Sequence, residues 1–188
     1  MLAGIDYSIT SPAVCIHPNQ ENWEPSKCKF LFFSILKKYK NGDIINDVFR
    51  VAKLQPTDIE RTKRYGSNAR LVVNFLTSYD VSNVAIEGYS FASQSSNLMQ
   101  MGENGGILRY ILNFVQIPYI EPPPSQIKSF ATNNGRSDKI AMGEQFEKET
   151  GYDLRQIFNR KSYDSNPVSD IADAYFICKF LHSKRDEI

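Results

Sequence analysis

Leu2-Ala3-Gly4-Ile5-Asp6-Tyr7-Ser8 is a short apolar run that ends on an acid and opens into a polar turn. An acid at a strand end is left unpaired by the ladder and points out of the sheet. Val84-Ala85-Ile86-Glu87-Gly88 repeats the pattern, closing a second apolar run on Glu87. A third stretch, Asp170-Ile171-Ala172-Asp173-Ala174-Tyr175-Phe176, reads as the start of an apolar helix. Its two acids, at i and i+3, share one helix face. Four carboxylates gathered in one place repel unless cations hold them. The pattern therefore points to a site for one or two Mg²⁺ ions, the arrangement that hydrolyses phosphodiesters.

Around these stretches the periodicity predicts strands over 2–7, 13–16, 30–36, 44–51, 81–87 and 117–120. Residues 18–29 read as loop, from their prolines and asparagines. Asn41-Gly42, beyond Lys37, Lys38 and Lys40, is a short hairpin signal, so 44–51 is expected to return beside 30–36. Apolar spacing changes to a helical period over 58–79 and 98–115. Pro122-Pro123-Pro124-Ser125 breaks the chain and can start a helix, since proline suits a first turn. Ser137-Asp138 opens another helix to about Thr150, residues 151–167 read as loop, and 170–183 is the last helix. Strands first joined by hairpins, then alternating with helices, make a mixed sheet covered by helices. The strands bearing Asp6 and Glu87 are expected to lie side by side and parallel, with the last helix bringing Asp170 and Asp173 over them.

The 188 residues fit one domain, 1–188. A chain of this size buries roughly 70% of its unfolded surface, so it needs no staple. Hydrophobic residues at 41% are near the globular norm, so disorder is not the default. The net charge of +1 neither demands nor excludes a nucleic-acid partner, because basic patches can offset an acidic centre. Cys15, Cys28 and Cys178 have no CxxC spacing, which argues against a disulfide framework and against zinc, and favours a reducing compartment. The first residues lack a basic segment, so no signal peptide is expected. No apolar run approaches the ~20 residues that cross a bilayer, so no membrane partner is expected.

The four acids in this element order resemble the RNase H-like nuclease superfamily, and within it the RuvC-type Holliday junction resolvases. Gly4-Ile5-Asp6-Tyr7-Ser8 is similar to the first acidic strand of that family. Ala85-Ile86-Glu87-Gly88-Tyr89-Ser90-Phe91 is similar to the second. Pro124-Ser125-Gln126-Ile127-Lys128-Ser129, followed by Gly135-Arg136-Ser137-Asp138-Lys139, resembles its basic P-x-x-(V/I)-K…G-x-x-x-K stretch. Asp170-Ile171-Ala172-Asp173-Ala174 resembles its terminal D-x-x-D-A helix. Residues 17–29 and 56–66 are longer than a minimal bacterial resolvase needs, which fits a divergent member, phage or organellar.

The resemblance implies an α/β, RNase H-like fold with a five-stranded mixed sheet flanked by helices. It implies a Mg²⁺-dependent endodeoxyribonuclease of DNA recombination and repair that nicks four-way junctions symmetrically, leaving 5′-phosphate ends. Asp6, Glu87, Asp170 and Asp173 are then the catalytic residues and ligands of two Mg²⁺ ions roughly 4 Å apart, with Mn²⁺ as a substitute. Asp6 would bridge the ions. Lys128, Lys139 and Arg136 would reach the DNA backbone, and Tyr89 or, preferably, Phe91 would stack on an unpaired base, a contact worth ~1–3 kcal/mol. Asp138 reads as the cap of the helix carrying Lys139. Gly88 would let a backbone or phosphate come close. His17 and His182 read as bystanders, in a loop and at a helix end.

A symmetric substrate implies a homodimer. Its interface is expected on the 98–115 helix, through Leu98, Met99, Met101, Ile107, Leu108, Ile111 and Leu112, with Gly102, Gly105 and Gly106 permitting close approach; the bland alternative is that this helix is core. The lysines at 37, 38 and 40 either touch DNA or guard a sheet edge. The expected location is the cytoplasm of a bacterial or phage-infected cell, or an organellar matrix. Other readings are a broader branched-DNA or flap nuclease, an RNase H-type hybrid nuclease, a non-catalytic junction-binding protein and an actin-like ATPase; the glycine-rich phosphate loops of the last are absent.

Overall fold

The computed structural model describes residues 1–57, 59–89 and 98–187. Along the chain run β1 (Leu2–Asp6), β2 (Ala13–His17), β3 (Lys29–Ser34), β4 (Ile44–Ile45), β5 (Phe49–Lys53), α1 (Arg61–Ser78), β6 (Asn83–Ile86), α2 (Leu98–Phe114) and β7 (Tyr119–Ile120). Then come α3 (Pro124–Thr132), α4 (Lys139–Thr150), α5 (Leu154–Phe158) and α6 (Val168–Ser183). The strands form one mixed sheet in the order β4-β5-β3-β2-β1-β6-β7. The expected mixed sheet flanked by helices is present, with seven strands among the described residues rather than five. The five longer strands form its body, and the two-residue β4 and β7 extend its edges.

Strand alternation divides the interior in two. Leu2, Ala13, Cys15, Phe30, Phe32 and Ala85 face the layer containing α6 and α4. Ala3, Ile5, Val14, Ile16, Leu31 and Ile86 face α1 and α2. Both faces are covered, so β1 and β2 read as unbroken apolar runs rather than as alternating ones.

Two expectations are corrected. β5 does not return antiparallel to β3; it pairs with β3 in parallel, Phe30 opposite Phe49 and Phe32 opposite Val51. Asn41-Gly42 does turn the chain, with the Asp43 N–H donating to the Lys40 carbonyl at 3.2 Å. That turn only sends the chain along the sheet edge. The tight hairpin falls at Asn46 and Asp47, whose φ values of 50° and 58° place both in the left-handed region. Asn and Asp tolerate that region, here as the two central residues of the turn closed by the Val48 N–H donating to the Ile45 carbonyl at 3.2 Å. The second correction is α5, which lies inside the expected 151–167 loop. Five residues are too few to show a period, yet Asp153 caps this helix by accepting from the Arg155 and Gln156 N–H groups, and Leu154 and Phe158 anchor it in the core.

Candidate active site

The acids converge because of strand parity and one close packing contact. β1 and β6 are parallel with Ile5 opposite Ile86, and the Glu87 N–H donates to the Ile5 carbonyl at 3.1 Å. Asp6 and Glu87 therefore follow at the same height. Asp6 has the parity of Leu2 and Gly4, and Glu87 that of Ala85, which is the side covered by α6. α6 lies directly on β1: a Cβ on Gly4 would overlap the backbone nitrogen of Cys178 and the carbonyl of Ala174. The Cys178 thiol reaches the Leu2 carbonyl at 3.7 Å. From Leu2 to Asp6 the strand rises ~13 Å, and from Cys178 back to Asp170 the helix rises ~12 Å. Running antiparallel from that contact, α6 sets Asp170 and Asp173 over the carboxyl end of β1.

All four acids line one cavity of about 280 Å³, together with Tyr7, Ser8, Tyr89, Arg109 and Lys139. Burial raises the Asp6 carboxyl well above its usual value, and repulsion from Asp170, Glu87 and Asp173 adds to it, with Lys139 opposing. Burial also pushes Asp173 up, to about 7, with Glu87 and Asp170 reinforcing and Lys139 and Lys128 opposing. Glu87 is raised by burial, against the pull of Lys128 and Lys139. Asp170 is raised by burial while the nearby Ser11 hydroxyl and Lys139 hold it down. Although Ser11 is near enough for that influence, neither Ser11 Oγ nor Asp170 Oδ2 has a hydrogen-bond partner of good geometry.

An all-oxygen donor set with one orphaned, buried carboxylate oxygen suits a hard divalent cation. Among the described residues no group of three or more His, Cys, Asp or Glu side chains is already arranged to hold a metal ion.

The basic residues divide. Lys139 is the first residue of α4, whose cap Asp138 accepts from the Ala141 N–H at 2.9 Å, as expected. Its Nζ donates to Ser169 Oγ at 3.2 Å, which holds it at the cavity wall beside Asp170. Lys128, on α3, does not line the cavity, but its charge acts on Glu87 and Asp173. Arg136 is exposed, away from the cavity, and its N–H donates to Asn134 Oδ1 at 3.0 Å.

Tyr89 stands at the cavity wall. Its hydroxyl donates to the Met101 carbonyl at 3.0 Å and accepts from Arg109 at 2.9 Å, and the guanidinium lies 4.8 Å from the ring centroid. Arg109 is also paired with Glu121. Arg109 carries no motif; it is one of several polar residues on α2, and only the fold brings it to Tyr89. Phe91, with the polar stretch Ser90 to Asn97, lies outside the described residues. Gly88 is indeed at a close approach, but to the chain itself: a Cβ there would stand 3.2 Å from the Pro122 carbonyl.

The histidines are remote from the acids, as expected, although His17 ends β2 rather than sitting in a loop. It stacks on Trp23 at 4.1 Å and meets His182 edge-on at 5.3 Å. Trp23 in turn donates to the Tyr175 hydroxyl at 3.0 Å, so this group ties the loop after β2 to α6.

A mixed sheet carrying acids at the ends of two adjacent parallel strands, with a terminal helix laying two more across them, defines the RNase H-like class. No protein-family model matches the chain. Crossover junction endodeoxyribonuclease RuvC from Brachyspira hyodysenteriae (strain ATCC 49526 / WA1) is 27% identical over 113 residues, 60% of this chain and 62% of that protein. The match thus spans less than two thirds of that relative. Among solved structures, Thermus thermophilus RuvC superposes with a TM-score of 0.64 at 15% identity, covering 99% of this chain and 96% of that one. T. thermophilus RuvC in complex with a Holliday junction substrate gives 0.62 at 18% identity, covering 99% and 95%. The yeast mitochondrial Holliday junction resolvase Ydc2 gives 0.57 at 13% identity, covering 99% and 79%. The expected fold is borne out: the chain shares the fold of these resolvases, and its sequence is similar to that of a RuvC over part of its length.

Proposed function

We propose that the chain is a structure-specific endodeoxyribonuclease that resolves four-way DNA junctions, acting through one RNase H-like unit over residues 1–188. The observation that carries this reading is the convergence of Asp6, Glu87, Asp170 and Asp173, from three separate elements, on one cavity. The names of the similar proteins support the substrate class: one was solved with a Holliday junction, and another is a mitochondrial Holliday junction resolvase.

Asp6, Glu87, Asp170 and Asp173 would hold two Mg²⁺ ions. When bound, the ions supply Lewis-acid activation of water and neutralise charge on the scissile phosphate. The chain's own contribution is electrostatic and positional. Its carboxylates, crowded and partly desolvated, disfavour full ionisation unless cations are present. Lys139, fixed by Ser169, and Lys128 supply positive charge for the phosphates on either side, with Arg136 as a further backbone contact. Tyr89, held by Arg109, offers a rigid ring at the cavity wall for a nucleotide, and Phe91 is the preferred wedge on an unpaired base. Hydrolysis would leave 5′-phosphate and 3′-hydroxyl ends.

Two symmetric nicks require two sites, so the active form would be a homodimer. The face available on α2 overlaps the expected one only in part: Leu108 and Leu112 are fully buried, Leu98 and Met99 are 49% and 80% exposed, and Tyr110 and Phe114, outside the expected set, are 71% and 78% exposed. Gly102 and Gly106 have open space around them, and Gly105 makes room for Tyr89 and Arg109. No helix of the described residues is long and apolar enough to cross a membrane. The reading places the protein wherever branched DNA forms, in bacterial or phage-infected cytoplasm or an organellar matrix.

The test is cleavage of a labelled synthetic four-way junction with Mg²⁺ or Mn²⁺, beside duplex, flap, three-way and RNA–DNA hybrid controls. Paired symmetric nicks in the junction are expected. Cutting of many branched forms would instead define a debranching nuclease, and cutting of the hybrid alone an RNase H. Tight junction binding without cleavage would overturn the enzymatic reading.

A further inference from the structure

Lys37, Lys38 and Lys40 lie in the segment between β3 and β4. Asp6 of β1 pairs opposite Ala13 of β2, and Ala13 opposite Phe32 of β3. β3 therefore runs in the direction of β1, and the chain after Ser34 leaves the sheet at the end that carries Asp6 and Glu87. It also bends to the side on which the acids lie. Tyr39 meets the Phe32 ring edge-on at 5.9 Å and packs on the cluster that contains Val168 and Ile171 of α6. Between this segment and the β1–β2 turn is a concavity lined by Thr10, Ser11, Ile35, Leu36 and Pro167 among others, and no acidic side chain lines it.

The segment is held while its charges stay open. The Tyr39 N–H and Lys53 Nζ both donate to the Leu36 carbonyl, at 3.2 and 2.7 Å, and the Gly42 N–H donates to the Val51 carbonyl at 2.8 Å. Its one acid, Asp43, accepts from the Lys40 N–H at 2.6 Å. Lys37, Lys38 and Lys40 are exposed, and none of their ammonium groups is ion-paired among the described residues. Lys38 rests over the Tyr39 ring, 4.7 Å from its centroid. The three do not guard the sheet edge: β4 is the outermost strand, and the lysines precede it. Three cations on a fixed turn, at the acids' end and side of the sheet, suit a polyanion.

We propose that Lys37, Lys38 and Lys40 form a second DNA-backbone contact, which holds the duplex arm flanking the cut. β3 stands two strand spacings from β1, ~10 Å, and the lysines follow Ser34 by three to six residues, which puts them ~10–20 Å from Asp6. At ~3.4 Å of duplex axis per nucleotide, that span corresponds to phosphates about three to six nucleotides from the scissile one. The inference rests on the proposed nuclease function for which arm is held, while the preference for a polyanion stands on the lysines themselves.

The test is the salt dependence of junction binding in Ca²⁺, for the wild type and a triple variant carrying Lys37→Gln, Lys38→Gln and Lys40→Gln. The cut is first mapped in Mg²⁺, and melting curves establish folding. Each lost phosphate contact lowers the slope of log K against log[salt] by about 0.9, so the triple variant should lose about two to three units. Neutral methylphosphonates are then placed about three to six nucleotides from the cut, on each side in turn. On one side they should lower the wild-type slope and cost the triple variant nothing further. An unchanged slope in the folded triple variant overturns the contact. Losses that simply add on both sides overturn it too, since the lysines then act elsewhere. If the triple variant has no melting transition, Lys37→Gln and Lys40→Gln alone should each lower the slope by about one, and a wild-type slope in both overturns the contact. Junction binding without cleavage overturns the nuclease reading, yet the slope difference on that junction still supports the contact. Absence of any DNA binding by the wild type overturns both.

Discussion

Asp6 carries the heaviest electrostatic load in the cavity, since Asp170, Glu87 and Asp173 all act on it. Asp6→Asn keeps the side chain's size and removes the charge a cation needs. Cleavage of the junction should fall below detection while junction binding in Ca²⁺ stays within a few-fold of wild type; retained cleavage would remove Asp6 from the metal site. The same crowding sets a pH dependence. Asp173 is raised from the usual carboxylate range to about 7. Between about pH 4 and pH 7 the folded chain therefore binds more protons than the unfolded chain, and stability falls as pH rises through that window. In EDTA the melting temperature should decline from pH 5 to pH 8. Added Mg²⁺ should recover most of the loss at pH 8 and little at pH 5, because protonated acids do not ligate. A flat EDTA profile would show that the acids are not coupled as described.

At the scale of elements, the site depends on how closely α6 lies on β1, and Gly4 is what permits that. Any side chain there meets helix backbone, which cannot move aside as a flexible side chain would. Gly4→Ala should destabilise the chain by about 2–3 kcal/mol, measured by urea unfolding, and should reduce cleavage more than its loss of stability explains, since Asp170 and Asp173 ride on α6. A wild-type urea midpoint would contradict the close packing. The local signals served well where one element was enough: Asp138 at the cap of α4, Pro124 in the first turn of α3, and the acids at the ends of β1 and β6 were all legible. The turn chemistry misled at Asn41-Gly42, since both that pair and Asn46-Asp47 can turn a chain. The choice between them is made by which arm reaches β3, a long-range pairing that no local window contains.

For the whole molecule, the exposed face of α2 is where a second copy would sit. Tyr110 and Phe114 are one turn apart, and Met99 is eleven residues before Tyr110, about three turns, so all three share a side. Phe114→Glu should convert a dimer to monomers in sedimentation velocity and turn paired junction nicks into uncoupled single ones. A monomeric wild type, or a dimer unaffected by the substitution, would place the interface elsewhere.

The sequence by itself determined the mixed α/β architecture, the two acidic strand ends and the two acids on the last helix. These follow from periods of two and 3.6 and from residues at element ends, which are local properties. Only the tertiary structure decided that β3 and β5 run parallel and that α2 turns Leu108 and Leu112 inward and Phe114 outward. It alone brought Arg109 to Tyr89, and Lys37, Lys38 and Lys40 to the end of the sheet that carries the acids. Each of these depends on residues far apart in the chain, where a charge or an apolar side chain takes its meaning from what packing sets against it.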